Sequence, residues 1–100
     1  MTQENEKQGI GASQCIYRLY TENKNLETVL LPIFKKSFDC FTILKASGYW
    51  QGINEGSIIF EVISEDSAAN DKRLQEISAR ICRENKQECC LITKQAVEVL

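Results

Sequence analysis

A chain of 100 residues without a histidine has few routes to chemistry. There is no imidazole base, no Ser-His or Cys-His nucleophile pair, and nothing to complete a common zinc set with cysteine. Carboxylates remain: Glu22, Asp39, Glu55, Glu61, Glu65 and Asp66. Among them Glu61 stands out, set in the run Ile58-Ile59-Phe60-Glu61-Val62-Ile63. Burial among such neighbours would raise its pKa and suit it to acid or base work. The simpler reading, and the stronger one, is a carboxylate at a sheet edge or paired across the sheet with Arg18 or Lys45. No residue is assigned a catalytic role.

Binding has a better sequence basis. Neither a phosphate-binding Gly-x-x-x-x-Gly-Lys loop nor a dinucleotide fingerprint is present. Gly48-Tyr49-Trp50-Gln51-Gly52 can still bring backbone close to a ligand, with Tyr49 or Trp50 stacking on a flat ring and Arg18 or Lys45 meeting its charge. Against this stands the use of aromatic residues as packing at hairpins and subunit interfaces. The candidate ligand-binding set is Arg18, Tyr20, Lys45, Tyr49, Trp50 and Glu61, with no metal site and no cofactor.

Five cysteines, at 15, 40, 82, 89 and 90, make an odd number with no Cys-x-x-Cys spacing. Cys15, Cys82 and one of Cys89 or Cys90 fall where core residues are expected, and a free thiol packs as a small apolar group. Cys89 and Cys90 are neighbours in an expected strand, so their side chains should point to opposite faces and share no ion.

Twelve basic residues against fourteen acidic ones leave a net charge of −2. No basic field exists to hold phosphates, so DNA and RNA are not expected partners. No apolar run approaches the roughly 20 residues of a membrane span, and the polar, acidic start is unlike a signal peptide. The expectation is a soluble cytoplasmic protein of one domain.

Residues 1–13 are polar, without periodicity, and read as a disordered lead-in to a domain over 14–100. Within that domain, Gln14 to Thr21 reads as a strand with apolar residues at both parities, hence an interior strand. Leu26, Val29, Leu30, Ile33, Phe34 and Phe38 lie on one helical stripe, capped by Asn25, with Pro32 kinking a single helix away from the stripe. Phe41 to Ile63 reads as a long hairpin. Its turn is placed at Gly52-Ile53-Asn54-Glu55-Gly56 and is expected to be a loop of three to five residues. Gly48 is expected to mark a bulge or bend, with the tip projecting from the sheet. Leu74, Ile77, Ile81 and Cys82 define a second helix, stopped by a left-handed Asn85. Glu88 to Thr93 reads as the last strand, with Ala96 to Leu100 able to add a short extra one.

The order strand, helix, strand, strand, helix, strand predicts an α+β, ferredoxin-like βαββαβ fold: a four-stranded antiparallel sheet with two helices on one face. The other face would carry Ile16, Tyr20, Ile59 and Ile63, with several of Phe41, Ile43 and Tyr49. Packing against a second copy is the economical cover for so apolar a surface.

The segment Gly48-Tyr49-Trp50-Gln51-Gly52, with Glu55 and Glu61, resembles the aromatic-and-glycine hairpin of small ferredoxin-like oligomers, the copper-tolerance and PII-like proteins. It is also similar to short proteins of bacteria and phages that carry a Phe-Thr-Ile, Gly-Tyr-Trp and Glu-x-Ser run. The resemblance covers the two middle strands and, loosely, the helix and strand after them. It departs at the C-terminus, which is longer in the copper-tolerance proteins, and in histidine, so metal binding is not carried over. What it implies is a homo-oligomer with ligand-sized clefts between subunits. Two functions follow. The first is a non-enzymatic binding module that holds a small ligand, a nucleotide foremost, at subunit interfaces, in the manner of a phage protein that sequesters a host signalling nucleotide. The alternative is a protein-interaction factor that grips a partner with its apolar sheet face and hairpin. An enzyme ranks third.

Overall fold

The computed structural model describes residues 13–88 and 90–100. The expected lead-in, except Ser13, and Cys89 lie outside the described residues. Four strands form one antiparallel sheet in the order β2-β3-β1-β4: β1 (Gln14–Glu22), β2 (Thr42–Trp50), β3 (Ile53–Glu65) and β4 (Leu91–Val97). With the helices α1 (Leu31–Ser37) and α2 (Ala68–Glu84), this is an α+β fold. Among the described residues no helix is long and apolar enough to cross a membrane.

β1 is interior in the strand order, as expected, but only one of its two apolar faces is buried. Cys15, Tyr17, Leu19 and Thr21 are buried, while the alternate residues Ile16, Arg18 and Tyr20 are only half-buried. On β3 the buried set is Ile58, Phe60 and Val62. These side chains form one core with Leu30, Ile33 and Phe34 below β2 and β3, and with Leu74, Ile77 and Ile81 of α2. Phe34 and Phe60 stack at its centre, rings parallel to within 8° and 3.9 Å apart. Phe41 tilts against both rings at 5.5 and 5.8 Å. Phe41 and Ile43 thus belong to the core side, not to the opposite sheet surface where they are expected as candidates.

The helical stripe keeps its phase across Pro32 by changing helix type. Leu26–Leu30 is a π-helical turn, in which the N–H of Leu31 reaches the carbonyl of Leu26, and α1 begins after it with Pro32 in its first turn. A proline inside an α-helix crowds the carbonyl four residues back, here Thr28, and leaves it without a donor. The wider turn relieves that crowding and lets Leu30, Ile33 and Phe34 all reach the core. Asn25 precedes the π turn in the left-handed conformation, φ 57°, and offers no side-chain cap. The expected side-chain cap is instead seen on α2, where Ser67 accepts from the N–H of Asn70 at 3.1 Å.

The hairpin differs from expectation at its turn. β2 and β3 pair without interruption from Thr42↔Glu61 to Trp50↔Ile53, so only Gln51 and Gly52 form the turn and Gly48 marks no bulge. Both turn residues have positive φ, 51° and 81°, as the primed two-residue turn that matches strand twist demands. Asn54 and Gly56, expected in the loop, are strand residues. β1 pairs β3 only from Ser57 onward, so the tip beyond Gly56 projects past the sheet, pinned at its base by the N–H of Asn23 on the Gly56 carbonyl at 3.1 Å. β4 begins at Leu91 and absorbs Ala96 and Val97, so no separate extra strand forms.

One ionic cluster ties the far ends together. The buried Tyr17 donates its hydroxyl to Asp71 at 2.6 Å, and Lys94 bridges Asp66 at 2.7 Å and Asp71 at 3.0 Å. The hydrogen bond from Tyr17, reinforced by Lys94, holds the Asp71 carboxyl below its ordinary value. A carboxyl with a depressed folded pKa stabilises the fold above its unfolded pKa and loses that contribution as pH falls through the folded value. The stability gap between the native chain and Asp71→Asn should therefore be full at pH 7 and shrink below about pH 4 in urea titrations. Phe60→Ala removes the central ring of the core and should cost about 3–5 kcal/mol in the same assay.

Candidate functional site

Residues directly opposite in an antiparallel pair share a face, so the register sorts the candidate residues. Arg18 lies opposite Glu61, and Tyr20 opposite Ile59, on the face away from the helices. Trp50, opposite Ile53, shares that face, together with Leu44 and Gly48. Lys45 does not join them. It lies opposite the buried Ile58 and so stands on the helix side of the edge strand β2, as does Tyr49 at the tip.

At the centre of the open face the Arg18 guanidinium donates from Nε to Oε2 of Glu61 at 2.9 Å, and from Nη1 to Gln95 at 3.4 Å. Glu61 is thus the cross-strand partner of Arg18, as the simpler sequence reading holds. Both side chains keep about a quarter of their surface in water, 30% for Arg18 and 24% for Glu61. An ion pair that wet contributes at most about 1 kcal/mol. Its main effect is to fix two charged side chains amid Ile16, Tyr20, Ile59 and the exposed Leu44 and Ile63.

Tyr20 and Trp50 flank a hollow of about 300 Å³ on the open face beside the hairpin, with Tyr49, whose side chain belongs to the helix side, at its margin. Glycines at 48 and 56 line it, removing side chains where a ligand would touch backbone. A second hollow of about 340 Å³ shares Glu22, Trp50 and Glu55 with the first and is closed by Lys86, Gln87 and Glu88. The two adjoin through the three shared residues and make up a depression with aromatic and acidic walls. Arg18 lies two residues, roughly 7 Å, down β1 from Tyr20. Glu61 borders a separate, wider hollow of about 660 Å³ with Cys40, Phe41 and Ile63. The structure thus brings Tyr20 and Trp50 to one hollow, leaves Arg18 and Glu61 paired nearby, and sets Lys45 and the Tyr49 side chain on the other face.

The wall beside Lys86 is held by a buried polar network. Asn85, 2% exposed, donates to the carbonyl of Lys24 and to Gln87 Oε1, both at 2.9 Å, and accepts from Asn25 at 2.9 Å. Gln87 continues it to Thr21 Oγ1 at 2.8 Å. This joins the end of β1, the start of the π turn and the end of α2. Asn85 is not the left-handed stop expected of it: its φ is −94°, and Lys86 carries the left-handed turn at 52°. Beside the network, burial pushes the Cys90 thiol up to about 11. Among the described residues no group of three or more Cys, Asp and Glu is arranged to hold a metal ion.

No family model matches the chain, and no curated protein matches it. Solved structures do. A phage SAM lyase in complex with S-methyl-5'-thioadenosine superposes with a TM-score of 0.66 at 13% identity, covering 92% of this chain and 88% of that one. A de novo designed protein, Foldit4, superposes with a TM-score of 0.53 at 10% identity, covering 86% of this chain and 98% of that one. At such identities the likeness is one of fold.

Asn85→Ala should remove the side-chain bonds that tie the end of α2 to Lys24, Asn25 and Gln87 and leave a small void in their place. The expected loss is about 2 kcal/mol in chemical denaturation, with the far-ultraviolet dichroism of the native state unchanged.

Proposed function

We propose that this chain is a binding module that seats a purine nucleoside carrying no phosphate in the depression between β1 and the hairpin, within an assembly of copies packed through the open sheet face. The observation that carries the reading is that Tyr20 and Trp50, both on the open face, flank one hollow lined by two glycines. Aromatic faces are suited to a base, and the hollow is at the small end of the range for a ligand of that size. The walls narrow the ligand class: Glu22, Glu55 and Glu88 face a single cation, Lys86. That balance repels phosphate and favours a neutral or positively charged ligand, such as a nucleoside thioether or sulfonium. The phage lyase of similar fold, bound to S-methyl-5'-thioadenosine, supports the same class. We also read the strand order β2-β3-β1-β4, with α1 between β1 and β2 and α2 between β3 and β4, as the ferredoxin-like topology. Sequestration of such a nucleoside, as a phage-type protein would do it, is the corresponding role.

Titration calorimetry with S-methyl-5'-thioadenosine, S-adenosylmethionine and adenosine monophosphate tests this reading, with native mass spectrometry for assembly. Saturable binding of one or both of the first two is expected, with the monophosphate at least tenfold weaker. Trp50→Ala, at an exposed position, should weaken binding about tenfold or more without unfolding the chain. Absence of heat with all three, from a protein that remains monomeric, would overturn the nucleoside reading and favour a protein partner for the exposed hairpin. Release of S-methyl-5'-thioadenosine from S-adenosylmethionine would replace binding by turnover.

A further inference from the structure

We infer that Cys82 and Cys90 are a disulfide-forming pair that can staple the end of α2 to the start of β4. Cys82 lies in the last turn of α2, and Cys90 directly precedes β4. Their sulfurs are 3.9 Å apart, within S–H···S contact. A disulfide bond is about 2.05 Å long, so closure needs the two sulfurs to approach by about 2 Å. Both thiols are half-buried, which shields them from bulky reagents and leaves them open to small ones. The intervening chain is already folded back on itself: the N–H of Gln87 donates to the carbonyl of Cys82 at 3.2 Å, and the Gln87 amide reaches the Cys90 sulfur at 3.5 Å. Gln87 therefore holds both ends of the loop against each other. The remaining two described cysteines are differently placed, Cys15 inside the core and Cys40 exposed, two residues before β2.

The chemistry is thiol–disulfide exchange with a small disulfide such as oxidised glutathione. The thiolate of Cys82 attacks it, forming a mixed disulfide and releasing one glutathione thiolate. The thiolate of Cys90 then attacks the Cys82 sulfur, forming the protein disulfide and releasing the second glutathione. The two thiol protons pass to solvent, the two cysteines are oxidised, and one glutathione disulfide is reduced to two thiols. The staple would fix the loop whose residues Lys86, Gln87 and Glu88 close one side of the depression. The inference concerns the thiols alone and does not depend on what the depression binds.

The test is to incubate the native chain with oxidised glutathione, block free thiols with iodoacetamide, digest with trypsin and map the peptides by mass spectrometry. Cleavage after Arg83 and Lys86 separates Cys82 from Cys90, so a crosslink joins two peptides. The expected product joins residues 81–83 to residues 87–94 with the loss of two hydrogens. It should persist in Cys89→Ser and fall at least tenfold in Cys90→Ser. Cys40 should carry glutathione as a mixed disulfide, showing that the reagent reached the protein. Unfolding in urea should spread the pairing over Cys89 and Cys90. A crosslink lost in Cys89→Ser but kept in Cys90→Ser, or mixed disulfides at Cys40 with Cys82 and Cys90 still free, would overturn the inference.

Discussion

The stack of Phe34 on Phe60 is the contact on which this small fold depends. It joins the chain segment that follows β1 to the strand that pairs with both β1 and β2. A chain of this length buries a modest share of its surface, so one layer of apolar side chains must serve both helices and the sheet. The position of Phe34 is fixed in turn by the π turn before it. Without that wider turn, Pro32 would displace the helix and take Leu30 and Phe34 off the stripe. With the core side chains spent on one face of the sheet, none of the described residues covers the other. The open face, its Arg18–Glu61 pair and the hollow beside Trp50 are what that economy leaves behind.

Strand and helix types were readable because they rest on residue chemistry and period. The β-branched runs of β1 and β3 and the stripe from Leu26 to Phe38 each admit one regular structure. What escaped was set by a single turn. Two strands of a hairpin are phased by the length of their connection, and a shift of one residue exchanges the faces. The glycines at 52 and 56 drew attention to a longer loop, while the twist of the strands selected the two residues Gln51 and Gly52. With that register, Lys45 falls opposite Ile58, and Phe41 and Ile43 turn toward the core. The sequence contains no local mark for this.

The candidate site was legible in part for the same reason. Aromatic residues on a hairpin point to a binding surface by type, and Tyr20 and Trp50 do flank one hollow, whereas the side Tyr49 faces was hidden in the register. The approach of Glu22 and Glu55 to Trp50 depends on how strand ends meet in space. The role of Asn85 depends on two partners distant in sequence, Lys24 and Asn25. A polar residue after a helix reads as a stop signal; that its side chain is buried and fully bonded is a tertiary fact.

The projecting hairpin tip has a consequence for how this protein can change. Residues beyond Gly56 bond to β2 alone and lend nothing to the core, so their local opening is separate from global unfolding. Amide protons there should exchange with solvent long before those of β1. Substitutions at Tyr49, Trp50, Ile53 or Asn54 can accordingly accumulate at little cost to the folded state. A wall of the depression thus lies in the segment where selection for stability is weakest, and ligand preference in such a chain can drift while its architecture stays fixed.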